Sequence, residues 1–288
     1  MTPLRLVVIA GAVLAAACSP AASPVEHPAP KAAPRPTGGP TSAPTADPTR
    51  ALILYRPAAA ARYALDRHDS LTLELPGGAT QVQQSNRTAY LTVIIADAPG
   101  AYHTSVRLDS LRQEVGGTVA ADSILRAEGT SWKASLTPQG RLSALKADRS
   151  SGVADQVEAG LPLLFPVLPP TGLGEGVQWT DTAERSLKAD AFDVRERSVT
   201  SYQVQRRDGA VYTIVATTTF QRTGTGGQAA QPMEMTSAGS RSATYRFSRD
   251  AGVLDAEGAD SAEMTITVPA VGQSVPVHQR ASWKAARK

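Results

Sequence analysis

Cysteine occurs once in the 288 residues, at Cys18, so the chain can hold no internal disulfide and no metal site built from several thiolates. Stability must then come from an apolar core. Aromatic residues make up only 5% of the chain and the formal net charge is only +3. The one adjacent arginine pair, Arg206-Arg207, lies between Gln205 and Asp208 with no aromatic interleaved. Nucleic acid is therefore not an expected partner. The four histidines, His27, His68, His103 and His278, stand far apart and in no zinc-chelating spacing.

Chemistry-bearing motifs are equally scarce. There is no G-x-S-x-G, no glycine loop opening a helix to cradle phosphate, and no acidic calcium loop. Ser143-Ala144-Leu145-Lys146 matches the S-x-x-K of serine β-lactamases and penicillin-binding proteins, which requires its Ser at the start of a helix. Here the four residues fall on an expected strand, and period-two alternation sends Ser143 and Lys146 to opposite faces. Acidic residues are scattered, with no pair singled out. Neither a cofactor nor an enzymatic activity is expected.

The chain does carry an export signal. A basic start at Arg5, an apolar run from Leu6 to Ala17 and small residues before Cys18 read as a secretory signal peptide over residues 1–17. The run is shorter than the roughly 20 apolar residues needed to span a bilayer. Leu14-Ala15-Ala16-Ala17-Cys18 resembles the lipobox of bacterial lipoproteins, with Ala15 where leucine is commonest. That resemblance implies cleavage before Cys18 and acylation of its thiol, hence a membrane anchor. Ser19, a non-aspartate at the next position, implies the outer membrane of a Gram-negative cell envelope. Residues 18–50 are the lipidated cysteine and a tether rich in Pro, Ala, Ser and Thr. Such a segment has little to bury and stays extended, reaching on the order of 90 Å at polyproline geometry.

Residues 51–288 are expected to form a single domain of all-β class. Period-two alternation recurs at Leu71, Leu73 and Leu75, at Tyr102 to Leu108, at Trp132 to Leu136, at Met264 to Val268 and at Val275 to Trp283. The short turns between runs make neighbours antiparallel. The strand–turn–strand pattern of Ser131 to Leu142 recurs at Ser242 to Leu254, so two halves of similar plan, about 51–148 and 177–288, are open. Arg222-Thr223-Gly224-Thr225-Gly226-Gly227 reads as a flexible hairpin tip, and the loop Gln221 to Gln231 as a natural contact for a partner.

Between the halves, in a linker spanning about 150–172, the period changes. Ser151 to Gly160 is expected to hold one short helix with Val153 and Val157 on one face. It runs into Leu161-Pro162-Leu163-Leu164-Phe165-Pro166-Val167-Leu168-Pro169-Pro170, the most apolar stretch after the leader. Its prolines argue against a central strand or a long helix.

Leu168-Pro169-Pro170 followed by Gly174-Glu175-Gly176-Val177-Gln178-Trp179-Thr180-Asp181 resembles the signature of an uncharacterised family of secreted bacterial proteins. That family is similar in plan to envelope lipid carriers of the Lol and mycobacterial lipoprotein type. The resemblance covers roughly Tyr63 to Asp260. It implies a strongly curved antiparallel sheet, a half-barrel, whose concave face a helical segment covers, and it implies no catalytic residues. Two readings of the apolar segment stand. Leu161, Leu163, Leu164, Phe165, Val167 and Leu168 line a site for a hydrophobic ligand or lipid, or they are a core plug in a protein that engages another envelope protein.

Overall fold

The computed structural model describes residues 60–75, 77–115, 118–119, 121–189, 192–228 and 231–288. The leader, Cys18 and the tether lie outside them. Residues Arg50–Lys288 form one compact unit with its own core, the physical condition for independent folding.

The described chain is a single antiparallel sheet curled into a half-barrel, as the alternation and the family resemblance implied. Its strands are β1 (Ala61–Glu74), β2 (Thr80–Ala98), β3 (Ala101–Val115), β4 (Thr118–Val119), β5 (Ser131–Leu136), β6 (Leu142–Ala147), β7 (Gln178–Ala189), β8 (Phe192–Asp208), β9 (Val211–Gln228), β10 (Gln231–Ser248), β11 (Gly252–Val268) and β12 (Gln273–Arg287). Their order is β6-β5-β3-β2-β1-β12-β11-β10-β9-β8-β7, with the two-residue β4 beside β3.

First and last strands meet in the middle of the sheet, Tyr63 opposite Arg287 through to Leu73 opposite Val277. The chain therefore walks outward from β1 to one edge at β6. It then jumps to the other edge at β7 and walks back to the centre. The jump is the linker, and because the sheet curls, the linker crosses the hollow between its own two edges.

Curvature has local causes. Register slips by one residue where β3 inserts Asp109 opposite Tyr90/Leu91, where β8 inserts Gln205 between Val204 and Arg206, and where β11 inserts Leu254 opposite Arg246/Phe247. Each such bulge bends its strand and increases its twist. Two mid-strand glycines make room for rings on the concave face. A Cβ on Gly258 would fall against Ser242 O and 2.6 Å from Trp283 Cζ2; one on Gly239 would fall 2.6 Å from Phe220 Cζ. Trp283 and Phe220 are the direct cross-strand partners of these glycines, so each ring lies over a bare backbone.

Inside the curl, one end of the concave face is roofed. Helix α1 (Ala121–Ala127) contributes Ile124 and Ala127, and helix α2 (Gly152–Glu158) contributes Ala154 and Val157. Ser151 caps α2, its hydroxyl accepting from Ala154 N at 3.2 Å. Side-chain bonds fasten α2 to the sheet: Arg87 and Gln113 donate to Gln156, at 3.0 and 3.1 Å, and Trp132 Nε1 donates to Glu158 at 2.8 Å. After α2 comes one 3-10 turn, Leu161–Leu164, consistent with prolines that forbid a longer helix.

Three sequence expectations are corrected. There are two short helices, not one: α1 has only two buried apolar positions, too few to mark a helical period. The glycine stretch Arg222 to Gly227 is no hairpin tip, because β9 runs through it to Gln228. Gly224 is buried there, where a Cβ would meet Val194 and Met235. Ser143 and Lys146 do not face opposite ways. They stand across from Ser135 and Lys133, and the extra β6 residue between them puts both on one face. Both are exposed, and no hydrogen bond joins them. His68, His103 and His278 are all exposed, and among the described residues no group of three potential ligands gathers.

The outward, convex face carries Thr, Ser, Gln, Arg and Glu in alternation, as in Arg195, Arg197, Val199, Ser201 and Gln203 of β8. Lipid-facing barrel strands instead need a continuous apolar band. No described helix is long and apolar enough to cross a membrane.

Gly258→Ala is expected to destabilise the unit by about 1–3 kcal/mol, the usual cost of overpacking. Gly152→Ala, whose Cβ meets nothing within 4 Å, is expected to change stability by less than about 0.5 kcal/mol. Urea denaturation of the two variants side by side measures the contrast.

Candidate functional site

The six apolar linker residues separate into two groups. Leu161, Leu164 and Leu168 are fully buried in the main core, among Leu65, Leu91, Leu108 and Trp132. Leu163, Phe165 and Val167 reach the same core from its boundary and also line a cavity of about 1110 Å³. That cavity lies between the two free edges of the sheet, walled by β6 on one side and by β7, β8 and the inner faces of β9 and β10 on the other.

A few bonds hold the edges together where the strands do not pair. Leu168 N donates to Gln139 O at 2.7 Å, tying the linker to the β5–β6 turn. Trp179 Nε1 donates to Val167 O at 2.8 Å, tying it to β7. Arg141, just before β6, forms an ion pair with Asp181 of β7 and donates to Thr182 O at 3.3 Å. The barrel is thus latched at one end by backbone and side-chain bonds through the linker and leaves a gap along the rest of its length.

The cavity wall has an apolar and a polar part. Leu142, Leu145, Leu163, Phe165 and Val167 supply the apolar side. Ala216 and Ala243, cross-strand neighbours on β9 and β10, form a low floor that leaves the space empty. Tyr202 stacks on Trp179, ring centroids 5.1 Å apart and 7° from parallel. Burial pushes the Tyr202 phenol up to about 12, and it pushes Tyr245 higher than its ordinary value as well.

Beyond the floor runs a belt of charges on the concave face. Glu196 lies between Arg185 and Arg222, each at 2.6 Å, with its side chain only 2% exposed. Asp260, 7% exposed, lies between Arg241 at 2.8 Å and Arg67 at 3.3 Å, and Arg67 also pairs with Asp69 at 2.9 Å. Arg222 and Arg241 flank the Phe220 ring, 4.3 and 5.8 Å from its centroid. Burial alone raises the Glu196 carboxyl, but Arg185 and Arg222 overcome it and hold the group below its ordinary 4.5. Burial likewise works against Asp260, and Arg241 and Arg67 hold it below 3.8. Arg185 is pulled down by its own burial, with Glu196 opposing.

Reading the acidic residues as scattered missed this belt. The signal was phase: Glu196 shares the parity of Phe192, Val194, Tyr202 and Val204, as Arg67 shares that of Leu65 and Leu71, and Arg241 that of Ala243 and Tyr245. A charge in register with a buried stripe must find a partner inside.

Glu196→Gln leaves two guanidiniums without their carboxylate and is expected to cost about 3–5 kcal/mol at pH 7. The folded-state pKa of Glu196 is depressed, so its contribution is complete above its ordinary 4.5 and is lost as pH falls below it. Denaturation at pH 7 and pH 3 is expected to show the gap between wild type and variant narrowing at the lower pH.

No family model and no curated protein matches the chain. Two engineered variants of a porin from Rhodopseudomonas blastica are similar in structure. One aligns over 80% of this chain and 100% of the porin at 8% identity and a TM-score of 0.23; the other over 80% and 99% at 8% and 0.18. A TM-score this low carries no argument about this chain.

Proposed function

We propose that the chain is a lipid-anchored protein of the bacterial cell envelope that binds a hydrophobic ligand or lipid inside its half-barrel. One observation carries the reading: about 1110 Å³ lies between the free edges of the curled sheet, against Leu142, Leu145, Leu163, Phe165 and Val167. Ligand pockets typically occupy about 300–1,000 Å³ and are mostly apolar with a few placed polar groups. The gap between β6 and β7 gives a long, thin molecule a lateral way in. Acylation of Cys18 holds the protein at the outer membrane, and the tether lets the half-barrel stand off from the lipid surface. The role is binding and not catalysis, because the acidic groups of the belt are committed to arginines in their ground state.

A second reading is an interaction protein of the envelope in which the apolar segment is only a plug. The complete burial of Leu161, Leu164 and Leu168 shows that part of the segment is plug. Both readings agree on these three residues and part over Leu163, Phe165 and Val167.

Residues 50–288, incubated with a fluorescent fatty-acyl probe, are expected to take up one equivalent, measured by native mass spectrometry and fluorescence titration. Val167→Asp is expected to weaken uptake at least tenfold while retaining a cooperative melt. Failure of the wild type to bind any apolar probe moves the interaction reading forward. Separately, the full chain is expected to incorporate radiolabelled palmitate in a Gram-negative host and to sediment with the outer membrane. Cys18→Ala is expected to abolish both, and unchanged labelling would remove the anchor from the proposal.

A further inference from the structure

The charges around the cavity are not evenly disposed. Its mouth carries both signs and selects nothing by charge. The belt at its inner end differs: four arginines, Arg67, Arg185, Arg222 and Arg241, are bonded among three carboxylates, Asp69, Glu196 and Asp260. One positive charge is left over in a concave, largely desolvated place, where an uncompensated charge is costly.

The donors left over are on the cavity side of this belt. Arg185 spends Nε and Nη2 on Glu196. Arg241 spends Nε and Nη2 on Asp260. Each keeps Nη1 without a protein partner, and both side chains line the cavity. Tyr245 follows Arg241 and Ala243 on the same face of β10 and lines the cavity with them. It is only 5% exposed, and no hydrogen bond within the described residues holds its hydroxyl, which is not fully buried and so opens on the cavity. A phenol hydroxyl that opens on a cavity is free to donate to a molecule bound there. Charge excess and free donors facing the cavity are independent observations, and they point to the same component: an acceptor that carries negative charge.

We infer that the cavity takes an amphiphile with an anionic head group, its head on Arg185, Arg241 and Tyr245 and its chain along Leu145, Phe165 and Val167. The inference rests on the ligand-binding reading above and adds to it the class of ligand. A carboxylate and a phosphate monoester share the required chemistry, as either accepts several charge-assisted hydrogen bonds at once. Head and chain sites are continuous, because Ala216 and Ala243 leave the space between them clear. The order of events also follows. A head group entering between β6 and β7 crosses the mixed charges of the mouth before it reaches the belt, so both ends of the ligand are engaged only when it is fully inside.

Four ligands with the same sixteen-carbon chain test this on residues 50–288: hexadecanoate, hexadecyl phosphate, hexadecanol and hexadecyltrimethylammonium, each displacing a neutral fluorescent probe. Both anions are expected to bind at least tenfold more tightly than the alcohol, and the cation most weakly. Comparing hexadecanoate with hexadecyl phosphate says which anion is preferred, and either preference supports the inference. Tyr245→Phe, which removes no bond within the protein, is expected to cut the anion-over-alcohol ratio about three- to tenfold, in line with a hydrogen bond to a charged group. Arg185→Gln is expected to abolish most of that ratio, with the melting curve recorded to confirm that the variant is folded. Arg280→Gln, an exposed position on the convex face, is expected to leave it unchanged. Equal binding of alcohol and anions, or an unchanged ratio in Tyr245→Phe, overturns the inference and leaves the ligand-binding reading intact. Binding of none of the four overturns both.

Discussion

The connection between β6 and β7 governs this molecule. It joins the two free edges of one sheet whose first and last strands are paired at its centre. A flat sheet would need that connection to travel the full width of eleven strands over an exposed face. Once the sheet curls, the edges approach and the linker drops into the hollow, where its leucines replace water against the concave face. Burying each of Leu161, Leu164 and Leu168 contributes roughly 1.5–3 kcal/mol. Curvature and linker thus require each other. The bulges bend the sheet enough for the linker to reach, and the linker supplies the core without which one face of a single sheet would stand in water.

The same arrangement produces the cavity. The linker is too short and too proline-rich to fill the whole concavity, so it roofs one end and leaves the other lined by strands alone. Where it stops, the wall changes from leucine and aromatic side chains to Ala216 and Ala243, and then to paired charges. Those charges cannot be solvated freely, and they hold one another through guanidinium–carboxylate pairs that cross from β7 to β8 and β9, and from β10 to β11 and β1. The belt is therefore both a structural strap across strands and a polar part of the cavity wall that the linker completes with Phe165 and Val167. A protein that needed only a core would gain by replacing such a belt with apolar residues.

How much could be read beforehand depended on the range of the interaction involved. Alternation such as Phe192, Val194, Tyr202 and Val204 needs only a strand's own period, and it gave the β class and most strands. Ser151 and the two prolines of Leu161 to Pro166 act within a few residues, and they gave α2 and its abrupt end. The single extra residue in β6 that turns Ser143 and Lys146 to one face has no local mark, because a bulge is decided by the partner strand. Likewise Gly224 looks like a turn former in isolation, yet the close approach of Val194 and Met235 makes it a strand residue.

By itself the sequence determined the lone Cys18, the proline-rich composition of the residues after it, the antiparallel β class and the apolar linker, all properties carried by composition or by neighbours along the chain. Only the tertiary structure decided which linker leucines are core and which line a cavity, and that Arg185, Glu196, Arg222, Arg241, Asp260 and Arg67 form one belt. Those residues span from Arg67 to Asp260 in the chain, and cross-strand pairing, a long-range choice with no local signature, is the interaction that brings them together.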